Sequence, residues 1–143
     1  MSTKLYELKK IQTNFPQHKI TSSEDAADFI KNFYSDDIEI YESFFILLLD
    51  RQNKTIGYAK ISQGGVTGTV VDTKIIAKYV VDSFASGVIL AHNHPSGNLR
   101  ESSADRQITQ KVKNALSYFD TAVLDHVIVT KDSYRSFSDA GIL

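Results

Sequence analysis

The unbroken apolar run from Phe44 to Leu49 limits most strongly what this chain can fold into. It is far short of the roughly 20 residues that cross a bilayer. As a strand it would be apolar on both faces, which requires a sheet covered on both sides. Ahead of it Ile38, Ile40 and Glu42 alternate, so the strand is expected to begin near Ile38, with Glu42 just before the fully buried part. Asp50 to Lys54 has turn chemistry, and Ile56, Tyr58 and Ile61 fit a return strand, giving an antiparallel hairpin closed off by Gly64 and Gly65.

Helical spacing flanks these strands. Thr21-Ser22-Ser23-Glu24 is a helix start, and Ala26, Ala27, Phe29, Ile30 and Phe33 follow at helical spacing, predicting a helix over about 22–34. After a β-rich stretch at Thr67–Val71, Ile76, Ala77, Val80, Val81 and Phe84 make an apolar stripe over about 73–84. Val88–Ala91 is a short buried strand. Ser102 opens a third helix carrying Ala104, Ile108, Val112, Ala115, Leu116 and Phe119, and Ala122–Val129 and Tyr134–Phe137 are closing strands. Phe44, Phe45, Phe84 and Phe119 are expected in the core. Strands and helices alternating around one sheet predict an α/β layered domain. A single domain over 1–143 is expected, with 1–20 a weakly patterned arm or short first strand interrupted by Pro16.

The chain has no cysteine, so disulfides, thiolate nucleophiles and cysteine-ligated metals are excluded, and any metal must be held by His, Asp or Glu. Sixteen basic against seventeen acidic residues provide no strongly basic field for phosphates. The first segment lacks the apolar core of a signal peptide, so a soluble, cytoplasmic protein without a membrane partner is the expectation.

The chemistry is concentrated in AHNHPSGNLRESSAD, residues 91–105. His92 and His94 lie two apart on an extended segment, so both side chains leave the same face and can meet one ion. Pro95 disfavours helix at His94, and Gly97 allows the bend that follows. An aspartate in the first turn of the next helix, Asp105, would complete a three-ligand site with the fourth position left for water. Two neutral imidazoles and one carboxylate leave Zn2+ with net positive charge. A cation of that kind lowers the pKa of water from 15.7 to about 7, on the order of 12 kcal/mol. Glu42, a charged group at the mouth of an apolar strand, is the candidate base, a role worth about 10²- to 10⁴-fold.

Glu42, His92-x-His94-Pro95 and Ser102-x-x-Asp105 together resemble the JAMM (MPN-type) zinc motif. EIYESFFILLLD, HNHPSG, SSADRQIT, LDHVIV and the final SFSDAGIL are similar to the RadC family of bacterial JAMM proteins, over roughly residues 22–143. The resemblance implies a three-layer α/β/α, cytidine-deaminase-like fold with a mixed sheet. It also implies zinc held by His92, His94 and Asp105, Glu42 acting on the catalytic water, and Ser102 donating to a tetrahedral oxyanion. JAMM relatives hydrolyse peptide or isopeptide bonds, so a peptide or protein substrate is implied. RadC relatives were named for DNA repair, and longer members carry an N-terminal helical DNA-binding-like region. The first forty residues here are too few and too neutral to supply it, and DNA is not expected as a partner.

Taken singly, each residue has a plainer reading. An HxH pair also occurs in ordinary loops, Ser102 and Asp105 would cap any helix, and Glu42 would suit an exposed strand position. Asp125-His126 fits a hydrogen-bonded structural histidine, with a supporting role to the ligands or a further metal contact as alternatives. Other function classes are a non-catalytic MPN-like interaction domain, which usually lacks motif residues that are all present here, and a DNA-repair accessory protein. Consecutive His92-Asn93-His94 is not the dispersed pattern of HNH nucleases, and the P-C-x-x-C of zinc deaminases and HExxH are both absent.

Overall fold

The computed structural model describes residues 1–7, 10–64 and 70–143. Helix α1 (Ser23–Lys31) is followed by a 3-10 turn at Asp36–Glu39 and the hairpin β1 (Glu42–Leu49) and β2 (Thr55–Gly64). Helix α2 (Thr73–Ser83), β3 (Gly87–Asn93), α3 (Ser103–Ser117), β4 (Ala122–Val129) and β5 (Tyr134–Ser136) complete the chain. The sheet order is β2-β1-β3-β4-β5. Among the described residues only β3 and β4, joined through α3, run parallel; the other neighbouring strands are antiparallel, so the sheet is mixed.

Alternation along β1 divides the core in two. Phe45, Leu47 and Leu49 pack with Ile89, Ala91, Val127 and Val129 against Ala26, Ala27 and Ile30 of α1. Phe44, Ile46 and Leu48 pack with Val88 and Leu90 against Ile76 and Val80 of α2 and Val112 and Leu116 of α3. The continuous run is therefore covered by helices on both sides, the three-layer α/β/α arrangement that its composition demands. Leu47 and Ile46 are fully buried on opposite faces, and truncating either to alanine would cost about 2–5 kcal/mol.

Several sequence expectations are corrected. The strand does not begin at Ile38. Asp37 draws the preceding segment into a 3-10 turn: its side chain accepts from the Ser35 hydroxyl and its carbonyl from the amides of Ile40 and Tyr41. Helix α1 stops at Lys31, although Phe33 and Tyr34 still pack on its core. The β-rich stretch at Thr67–Val71 falls partly outside the described residues, and Val70 and Val71 form no regular element. Phe84 and Phe119 are not core residues, being 87% and 49% exposed, and Val81 is also exposed. Phe84 ends α2 in the left-handed conformation (φ 55°, ψ 31°), which turns the chain away before the side chain reaches the stripe of Ile76 and Val80. The end of the arm is tied to the sheet by the Lys19–Lys54 bridge, by hydrogen bonds between His18 and Thr55, and by the Phe15 ring stacked on Tyr58, with Ile20 buried in the core. Among the described residues no helix is long and apolar enough to cross a membrane.

Candidate metal centre

The centre lies where β1, β3 and α3 meet. In the antiparallel register Phe44 faces His92, and continuing it by two residues sets Glu42 across from His94 on the helix-α3 side of the sheet. The Phe44 ring stacks on the His92 imidazole, centroids 5.9 Å apart and 10° from parallel. Beyond β3, His94 donates its backbone N–H to the Val129 carbonyl. The chain then reverses in a turn with Pro95 second, closed by Gly97 N–H donating to the His94 carbonyl at 3.0 Å. Gly97 has φ +83°, a value that a side chain there would disfavour.

Ser102 caps α3, and the cap aims Asp105. The Ser102 hydroxyl accepts from the Asp105 N–H (3.0 Å), and Asp105 Oδ2 accepts from the Ser102 N–H (2.8 Å). Locked in this capping box, the carboxylate reaches both histidines: Oδ1 lies 3.3 Å from His92 Nε2, and Oδ2 lies 3.4 Å from His94 Nε2. The two Nε2 atoms are 2.9 Å apart. Glu42, His92 and His94 offer one ligand atom each within 4.8 Å of one another. All five residues singled out from sequence thus assemble at one end of the sheet, Ser102 through its cap on Asp105. The plain capping reading of Ser102 and Asp105 also holds.

The donor set fits a small divalent ion. His94 Nδ1 donates to the Asn98 carbonyl at 2.6 Å, which leaves Nε2 as the lone-pair nitrogen of the neutral ring. A zinc ion with bonds near 2.0–2.1 Å in tetrahedral geometry separates its ligand atoms by about 3.3 Å, close to the two nitrogen–oxygen separations here. Without an ion the Asp105 carboxylate instead favours a protonated His94, whose proton ion binding would displace. The Asp105 hydrogen bond raises the His94 pKa against the opposing effect of burial. Burial pushes the Asp105 carboxyl up, but hydrogen bonds from His92 and His94 outweigh it and hold Asp105 well below the usual carboxylate range. Asp105 is therefore an anion, aimed at two imidazoles.

Two residues here lie inside the HNHPSG and SSADRQIT stretches but have no role assigned from the sequence. Asn93, between the two histidines, points to the opposite face and is fully buried. Its Oδ1 accepts from the Ser43 N–H, and its Nδ2 donates to the carbonyls of Ile38 and Tyr41, each at 2.7 Å. It thereby ties the ligand strand to the segment that delivers Glu42. Thr109, 3% exposed, lies on the buried stripe of α3 with Val112 and Leu116. Its spacing with those residues is the sequence signal that marks it as a polar group facing inward. His126, for which the sequence leaves a structural role and a supporting role to the ligands both open, is fully buried and held between Thr109 Oγ1 (2.6 Å) and His92 Nδ1 (2.7 Å). Burial pushes its pKa well down, so it is neutral. Asp125 faces the other side of the sheet, where it accepts from Ser136 and from the amides of His126 and Ser138. Asp125 and His126 therefore do not act as a pair.

A family model described as a RadC-like JAB domain matches residues 20–142. A "UPF0758 protein" of Flavobacterium johnsoniae is 44% identical over 124 residues, covering 87% of this chain and 53% of the relative. Another from Vibrio cholerae is 45% identical over 102 residues, covering 71% and 64%. A third from Porphyromonas gingivalis is 39% identical over 128 residues, covering 89% and 56%. The chain spans roughly half to two thirds of the length of these relatives.

Proposed function

The chain belongs to the RadC-like JAB domain family, and from that premise we propose that it is a JAMM-type zinc-dependent hydrolase acting on peptide or isopeptide bonds. The observation that carries this reading is the convergence of His92 Nε2, His94 Nε2 and the Asp105 carboxylate, with Glu42 beside the two histidines. His92, His94 and Asp105 would hold the ion. When bound, zinc supplies a Lewis acid that brings the pKa of water to about 7.

The remaining steps belong to the protein. Glu42, held at the strand mouth, takes a proton from the attacking water and returns it to the leaving amine, so the amide nitrogen departs neutral. Ser102 Oγ accepts from the Asp105 amide, and its own proton is left to be donated to the oxygen that becomes negative as the carbonyl is attacked. Phe44, stacked on His92, fixes the ring plane of the more buried ligand. The near balance of acidic and basic residues favours a protein substrate over a nucleic acid.

Elemental analysis of purified protein tests the reading. About one zinc per chain is expected, lost in the His92→Ala, His94→Ala double variant while the fold persists. Glu42→Gln is expected to keep the metal and lose at least tenfold in amide turnover. Wild-type protein that takes up no zinc, even when the ion is supplied, would overturn the proposal.

A further inference from the structure

The hydrogen bonds behind His92 form a closed circuit that begins and ends on Asp105. Thr109 Oγ1 lies 2.7 Å from the Asp105 backbone carbonyl and 2.6 Å from His126 Nδ1. His126 Nε2 lies 2.7 Å from His92 Nδ1, and His92 Nε2 faces Asp105 Oδ1 at 3.3 Å. Each neutral imidazole carries one N–H and one bare nitrogen, and the threonine hydroxyl has a single proton. The circuit therefore has two self-consistent directions. In one, Thr109 donates to His126, His126 Nε2–H donates to His92 Nδ1, and His92 Nε2–H points at the Asp105 carboxylate. In the other, Thr109 donates to the Asp105 carbonyl, accepts from His126 Nδ1–H, and His126 Nε2 accepts from His92 Nδ1–H. Only the second leaves His92 Nε2 bare.

Resting on the zinc-hydrolase reading, we propose that Thr109 and His126 are positioning residues which set the tautomer of His92. Thr109 is the end of the relay because its hydroxyl can accept from His126 and donate to the Asp105 carbonyl at once. His126 is fully buried and Thr109 nearly so, so no water replaces either partner. Removing the hydroxyl leaves a buried His126 Nδ1–H without an acceptor in the metal-competent direction but only a bare Nδ1 without a donor in the other, and the orphaned N–H is the costlier of the two. The loss therefore falls on metal affinity, in the 10- to 100-fold range of outer partners of metal-ligating histidines. Neither residue is among the first contacts of the ion. Their effect passes through His92.

Zinc affinity, measured by competition with a chelating dye for the wild type, Thr109→Val and Thr109→Ser, tests this. Thr109→Val, which keeps the shape and drops the hydroxyl, should bind zinc about 10- to 100-fold more weakly. Thr109→Ser should stay within about threefold of wild type. Thermal unfolding of the same proteins with zinc chelated should show no comparable gap between the two variants; a gap there with equal affinities would mark a merely structural role and overturn the relay. Wild-type affinity in Thr109→Val would also overturn it while leaving the hydrolase reading standing, whereas no zinc binding by wild type would overturn both. If Thr109→Val does not fold, histidine-selective ¹⁵N NMR of zinc-loaded wild type decides. A proton on Nδ1 and a bare Nε2 in His126 are expected, and the opposite tautomer would overturn the relay.

Discussion

Replacing Asn93 separates the support of Glu42 from the metal ligands on either side of that residue. The fully buried side chain makes three bonds of 2.7 Å: it accepts from the Ser43 N–H and donates to the carbonyls of Ile38 and Tyr41. In Asn93→Ala the Ser43 amide, on a residue 3% exposed, loses its acceptor at a cost of about 2 kcal/mol, and the two carbonyl bonds add about 1 kcal/mol each. The sum is about 4 kcal/mol. At about 3 °C per kcal/mol for a domain near this size, Tm should fall by about 12 °C. Asn93→Asp keeps an acceptor for Ser43 but puts an oxygen in place of the Nδ2 that donates to both carbonyls, so its similar size should not rescue the protein. Because Ser43 adjoins Glu42, turnover should fall further than stability accounts for, while zinc content stays near wild type. Thermal unfolding, elemental analysis and turnover at a temperature where every variant is folded measure the three effects. A loss under 1 kcal/mol in Asn93→Ala, or an Asp variant as stable as wild type, would refute the clamp.

Ser102→Ala should cost about 1 kcal/mol through loss of the cap and, separately, about 10²-fold in turnover if the hydroxyl serves the oxyanion. A stable and fully active variant would remove Ser102 from the mechanism. Glu101 is gripped by Arg106 (2.7 Å) and Arg135 (2.9 Å), and the Arg106 hydrogen bond foremost holds its carboxyl down to about 2. A depressed folded pKa contributes stability that is complete above the unfolded value near 4.5 and is lost as pH falls through about 2. With metal chelated, wild type should therefore lose stability faster than Glu101→Gln between those limits, and parallel acid titrations would count against the grip. Phe84 has φ 55° and is 87% exposed, so Phe84→Gly should relieve left-handed strain at little packing cost. A gain of about 0.5–1 kcal/mol in denaturant unfolding is expected, and a loss would show that the ring packs on something.

By itself the sequence determined what short-range pattern encodes. The Phe44–Leu49 run demanded cover on two faces, and the helical stripes of Ala26 to Ile30, Ile76 to Val80 and Val112 to Leu116 supplied it. His92, His94 and Asp105 were legible because an extended HxHP and a capped helix start each fix side-chain direction within a few residues. The same period counting failed for the strand start at Ile38 and for burial at Phe84 and Phe119, where a side-chain hydrogen bond or a helix end redirected the backbone.

Only the tertiary structure decided the connections between those segments. The β1–β3 register sets Glu42 beside His94. Asn93 reaches Ser43 across fifty positions, and the Thr109–His126–His92 circuit closes over separations of 17 and 34 residues. Such contacts leave no periodic trace, because a hydrogen bond depends on where two atoms meet in space and not on the spacing of residues along the chain.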